Sequence, residues 1–265
     1  VIVLRKTLAD QRRALVGWAL GMAALVLLYT SFYPSVKANA AKLNQYIQTL
    51  PDAVRNMIGR GGDFSSPTGY LQSEIFSIMG PLLLMILAIG AGARAIAGEE
   101  EIGTLDLLLA NPIARRRVVA EKFWAMVAGT AGVGVVMWAA ITVFGPLFGV
   151  HVGLVNLAET VLSAVLLAVG FGTGALAVGC LRGKRGLAIA VVVSVAVVTY
   201  LLNVLAPSVH AVRSLQKLSP FYYYIENDPL RNGLDPVHAL VLVSIAAAGL
   251  GLALLAFERR DLPTH

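Results

Sequence analysis

Six stretches of this chain stay apolar for about 20 residues or more, and charge, glycine and proline collect between them. They fall at residues 14–34, 75–97, 123–145, 157–181, 186–207 and 237–257. About 20 apolar residues carry a helix across the ~30 Å hydrocarbon core of a bilayer. In lipid only a continuous helix or a closed barrel satisfies every backbone group. Barrel strands alternate apolar and polar residues, and "AIAVVVSVAVVTYLLNVLA" (188–206) does not. The pattern therefore predicts an all-α polytopic membrane protein: six transmembrane helices forming a single domain over residues 1–265.

The connecting segments carry patterns of their own. Residues 1–13 set Ile2, Leu4 and Leu8 beside Arg5, Lys6, Arg12 and Arg13, which reads either as a short interfacial helix or as a basic flank to the first span. The loop at 35–74 holds Leu43, Tyr46, Ile47, Leu50, Val54, Met57 and Ile58. Their spacing marks one face of an amphipathic helix, bent or restarted at Pro51. In "SLQKLSPFYYYIENDPLRNGLDP" (214–236) the prolines and Gly233 punctuate short helical pieces, and Phe221 to Tyr224 suit a membrane interface. Glycines crowd spans three to five; Gly170/Gly174 and Gly179/Gly183 form GxxxG pairs that favour close helix packing.

Composition agrees with the pattern. The chain is 57% hydrophobic and 14% charged, with mean hydropathy +0.76, whereas a soluble domain is about 45–50% apolar and about 25% charged. Cytoplasmic segments are enriched in Lys and Arg. With both termini inside, the inner segments hold Arg5, Lys6, Arg12, Arg13, Arg94, Arg115, Arg116, Arg117, Lys122, Arg182, Lys184, Arg185, Arg259 and Arg260. The outer loops hold half as many, so both termini are expected in the cytoplasm. Ala38-Asn39-Ala40 resembles a signal-peptide cleavage site. The apolar stretch before it is longer than the usual 7–15 residues, so the first span is expected to be retained. A single cysteine, Cys180, excludes an intrachain disulfide.

Candidate chemistry is sparse. Within the predicted spans no carboxylate lies deep, and Arg94 and Glu159 sit near span ends, which argues against a proton-coupled carrier or ion pump. The histidines are scattered and no cluster has metal-ligand spacing. "GFGTG" (170–174) lacks the strand-turn-helix setting of a hydrolase elbow. "GCLRGKR" (179–185) has the wrong spacing for a P-loop and Arg185 where Ser or Thr belongs. No ATPase or hydrolase motif remains, so the chain is not expected to be an enzyme. If ATP is used, another polypeptide binds it; a channel or secondary transporter, or a membrane anchor or sensor for an ATPase partner, stays open as a reading.

The densest charge lies in "EEEIGTLDLLLANPIARRRVVAEKF" (99–123), in the loop between spans two and three. Glu99–Glu101 at a helix start would complement its dipole. Ile102, Leu105, Leu108 and Leu109 would form one apolar face, and Asn111-Pro112 would end the helix. This stretch resembles the signature of ABC-2 type permeases, the membrane subunits of bacterial ABC exporters. "LPDAVRNMIG" (50–59), "SPTGYLQSEIF" (66–76) and "LSPFYYYIENDPLRNGLD" (218–235) are also similar to stretches that recur in that family.

The resemblance implies an inner-membrane exporter subunit that moves a hydrophobic or amphipathic substrate, such as a drug, antibiotic or lipid. It makes 98–122 a coupling loop seated on a nucleotide-binding subunit through Glu99, Glu100, Gly103, Thr104, Leu105, Leu108, Pro112 and Arg115. It implies a second permease, an identical copy in preference to a sister chain, with lipids around the pair and no nucleic acid. ATP and Mg belong to the partner subunit, and no cofactor or metal to this chain. The pathway would run between permeases, with Met79, Met85, Thr199 and Asn203 of spans two and five as candidates to line it.

Overall fold

The structure is a computed structural model, and it describes residues 2–51, 54, 64–105, 113–208 and 215–260. Its described residues form helices joined by turns, and six of those helices are long and apolar enough to cross a membrane. The helix α1 spans Ile2–Ala38, about 55 Å at 1.5 Å per residue. The basic lead-in is therefore the first turns of the spanning helix itself rather than a separate interfacial piece. After a break at Asn39, α2 covers Ala40–Gln48 and buries Ala40 and Ile47 while Tyr46 stays exposed. The amphipathic face predicted beyond Pro51 lies outside the described residues, Val54 excepted.

The second spanning helix, α3, runs Pro67–Glu101. Ser66 Oγ accepts the Gly69 N–H at 3.1 Å and Pro67 occupies the first turn, the arrangement that starts helices well. Two stretches of α3, Gln72–Met79 and Arg94–Gly98, are wound as π-helix. Because α3 starts ahead of the predicted span, Glu74 lies inside the helix, half-buried and near its start rather than deep in it. Then follow α4 (Arg115–Phe144), α5 (Leu154–Arg182), α6 (Arg185–Leu205), the short α7 (Pro220–Ile225) and α8 (Pro229–Asn232), and α9 (Pro236–Arg259). Asp235 caps α9, accepting the Val237 N–H at 2.7 Å. The predicted span 186–207 overruns α6 into a 3-10 turn at Ala206–Ser208.

The helix α5 is the axis of the bundle: 72% of its apolar stretch is buried, against 17% for α1. It packs against α3, α4, α6 and α9, while α1 leans on α4. Close approach explains why. A Cβ on Gly92 of α3 would lie 2.1 Å from the Gly172 carbonyl oxygen, and one on Gly172 would lie 2.7 Å from Met126 Sδ. Lipid supplies no hydrophobic drive between helices, so packing of small residues sets their association. The contact is made by Gly92 and Gly172; the GxxxG residues Gly170 and Gly174 meet side chains only at 3.4 and 3.6 Å.

At the end away from residues 2 and 260, tyrosines tie the elements together. Tyr224 Oη donates to the Phe76 carbonyl at 2.7 Å, inside the first π stretch, and Tyr70 Oη to the Tyr29 carbonyl at 2.7 Å. Phe221 and Tyr224 are buried. These two rings therefore plug the bundle instead of standing at the lipid interface, because α7 folds back over α5 and α6.

Candidate functional site

At the end carrying residues 2 and 260, the ends of α3, α5 and α9 meet the starts of α4 and α6. Glu99–Glu101 form the last turn of α3, continuous with its π stretch. This corrects the reading of a helix start: the glutamates sit at the negative end of their own helix dipole, an unfavourable place for acids. Each is compensated from a different helix.

Glu99 accepts a hydrogen bond from Lys122 Nζ of α4, a side chain only 6% exposed. Glu100 is gripped by both terminal nitrogens of Arg260, just past α9, with Nη1 to Oε2 at 2.9 Å. Arg260 Nη1 also lies 3.3 Å from the Cys180 carbonyl near the end of α5. Glu101 Oε1 accepts the Arg185 backbone N–H at 2.8 Å, so it caps the positive end of α6. Gly183 supplies the room. It ends α5 with φ +64°, and a Cβ there would fall 2.3 Å from Arg260 Nη2 and 2.5 Å from the Glu100 carboxylate.

The three arginines later in the loop are also engaged within the chain. Arg115 Nη1 donates to the Arg260 carbonyl at 2.9 Å and its guanidinium lies over the Phe257 ring, so it closes the end of α9. Arg116 pairs with Glu258, Nη2 to Oε2 at 2.6 Å. Arg117 pairs with Glu121, which also accepts the Leu4 N–H at 3.0 Å and so ties the start of α1 to α4.

Of the other predicted coupling residues, Gly103 adopts φ +71° with open space around it. Glycine is needed there for backbone conformation alone. Thr104 Oγ1 donates to the Glu99 carbonyl at 3.3 Å. Leu105 is buried at 2% exposure whereas Ile102 is 72% exposed, so the two do not share the apolar face that their spacing predicts; the turn at Gly103 separates them. Leu108 and Pro112 lie outside the described residues. Lys122 was legible as part of the motif, but Arg260, Gly183 and the Arg185 N–H were not, since they come from distant parts of the chain.

A second feature is an apolar groove of about 560 Å³ between α3 and α6, within the range usual for ligand pockets. Pro81, Met85 and Ile89 form one wall, Ile189 and Val193 the other, and Arg185 stands at one end. Of the predicted pathway residues, Met85 lines this groove, while Met79 is half-buried outside its lining. Thr199 and Asn203 face the 215–225 segment instead: Ser219 Oγ donates to the Thr199 carbonyl at 2.8 Å, and Gln216 Nε2 to Asn203 Oδ1 at 3.2 Å.

Among the described residues no three His, Cys, Asp or Glu side chains converge as metal ligands would. A comparison with curated proteins returns no match. The family model described as ABC-2 family transporter protein matches residues 1–262, which takes in all six spanning helices and the ion-paired junction. The chain therefore belongs to the ABC-2 transporter family and is a multi-pass membrane component of such a transporter.

Proposed function

We propose that this protein is the permease subunit of an ATP-driven exporter, powered by a separate ATPase subunit that docks on residues 99–112. The family supports a transporter component, and the excess of Lys and Arg at the junction supports a cytoplasmic location for it. The observation that carries the reading is the trio of glutamate contacts. They join the last turn of α3 to α4, α9 and α6, so a push on the segment after Glu101 is delivered to four spanning helices at once. An ATPase pair closing on ATP and Mg would use that connection to tilt two permeases, identical copies in the simplest assembly, and open a path outward. The apolar groove walls suit a hydrophobic or amphipathic cargo.

Ile102 is the contact to test, being apolar, exposed and next to the Gly103 turn. Full-length chain is co-expressed with a candidate ATPase subunit and purified from membranes. Wild type and Arg116→Gln retain the ATPase, and Ile102→Asp recovers at least tenfold less while staying monodisperse. Equal recovery with Ile102→Asp would remove this segment as the docking element.

A further inference from the structure

We propose that the α3–α6 groove binds an anionic membrane phospholipid, with its phosphate between Arg94 and Arg185 and one acyl chain along the groove. The first observation is unmatched charge. Around this junction Lys122, Arg116, Arg117 and Arg260 each face a carboxylate. Arg94 and Arg185 have no acidic partner for their guanidinium groups among the described residues: Arg94 Nε donates to the Gly90 carbonyl at 3.1 Å, and only the backbone N–H of Arg185 reaches Glu101. A cation at the edge of the hydrocarbon region is costly unless an anion or water meets it.

The second observation is placement. A Cβ on Gly98 would lie 3.3 Å from Arg94 Cβ and 3.9 Å from Arg185 Cδ, so the two stems converge over Gly98. The Arg94 bond to Gly90 turns its side chain back along α3 toward the groove, which Gly90 and Arg185 both line. Arg185 lines the mouth and Arg94 stands beside it, and two planar guanidinium forks set together suit a phosphate better than a wholly apolar ligand. From Arg185 and Gly90 the groove runs to Ser77 and Phe221. That is about 20 Å along α3, longer than one leaflet's ~15 Å share of the hydrocarbon core. Between Arg185 at one end and Ser77 at the other its walls are apolar, and Tyr200 against Phe221, ring centres 5.4 Å apart, closes the far end. An extended acyl chain fits this shape, and the site stands whether or not the lipid is cargo.

The test titrates the full-length chain in detergent with phosphatidylglycerol and phosphatidylcholine of the same acyl chains and counts bound lipid by native mass spectrometry. Wild type is expected to retain one phosphatidylglycerol, with at least tenfold preference over phosphatidylcholine. Arg94→Gln with Arg185→Gln brings that preference within twofold, whereas the double lysine variant keeps most of it. A Cβ on Gly90 meets nothing within 4 Å and Gly90 lines the groove, so Gly90→Leu is expected to fill the groove and lower phosphatidylglycerol binding at least fivefold while the chain stays monodisperse. Equal binding of the two lipids by wild type would overturn the proposal. Unchanged binding in Gly90→Leu would assign the headgroup to surface bases and overturn it equally, as would a dimer that seals the groove and excludes lipid.

Discussion

Lys122 shows how far one side chain can matter here. It is almost wholly buried against a partly buried Glu99, and removing one partner of such a pair strands the other charge at a cost of about 3–5 kcal/mol. Lys122→Met is therefore expected to lower the thermal stability of the purified chain clearly, and Glu99→Gln with Lys122→Met to recover much of the loss. A double-mutant cycle reading less than about 0.5 kcal/mol of coupling would mean that the pair is solvated. The Arg116–Glu258 pair is far more exposed and should be nearly silent in the same assay. Asp228 gives a pH signature. It holds a left-handed φ of 45°, its Oδ1 is buried without a partner, and burial raises its carboxyl pKa against the opposing pull of Arg231. The folded chain thus favours the protonated acid: this contribution is complete below the ordinary carboxylate range and is lost as pH rises through the raised value. Asp228→Asn, which tolerates the left-handed region, should flatten that fall in melting temperature and melt higher at pH 7. A parallel pH profile for both proteins would count against this.

At the scale of elements, the contact between α3 and α5 depends on two glycines. A Gly92→Val change would force the helices apart, because even a Cβ there meets the Gly172 carbonyl at 2.1 Å. Overpacking of this kind costs about 1–3 kcal/mol or more, so the variant is expected to aggregate or melt early on size-exclusion and thermal assays. Gly174→Ala, with its nearest neighbour at 3.6 Å, should behave as wild type. Spacing alone pointed to Gly170 and Gly174, since a GxxxG pair is visible along one helix. Which glycine faces which neighbour depends on the rotation of both helices, and a single sequence does not carry that. The starts of α3 and α9 carry local signals, Ser66-Pro67 and Asp235-Pro236, whose caps form as such signals require, yet hydropathy placed the second span's start at 75, because the first turns of α3 are not continuously apolar.

Over the whole molecule, the contacts of Glu99, Glu100 and Glu101 join α3 to α4, α6 and the end of α9. If Glu100 transmits motion rather than only holding the fold, Glu100→Gln should still bind the ATPase but break the link between nucleotide and groove. A cysteine at Val193, exposed in the groove wall, reports this by maleimide labelling against the buried native Cys180. In wild type with its ATPase, trapping the nucleotide state should change the labelling rate several-fold, and in Glu100→Gln it should not. An undiminished nucleotide effect in the variant would restrict Glu100 to a structural part.

Much of this protein follows from its sequence by itself, because the bilayer leaves few choices. Twenty apolar residues without alternation can only be a spanning helix, so the six spans, the helical class and the family signature at 99–123 were legible residue by residue. Local readings failed where a neighbour from afar decided the outcome. Glu99–Glu101 read as a helix start, yet α3 continues through them and bases from α4, α6 and the end of α9 make that tolerable. Ile102 and Leu105 read as one face, yet the left-handed turn at Gly103 parts them. Phe221 and Tyr224 read as interface anchors, yet the fold of α7 over α5 and α6 buries them. Only the tertiary structure brought Arg260 to Glu100 across 160 positions and set Arg94 beside Arg185 at the end of the groove, without a carboxylate partner among the described residues. Charge pairing acts through space, and the order of residues along the chain records it only when the partners are neighbours.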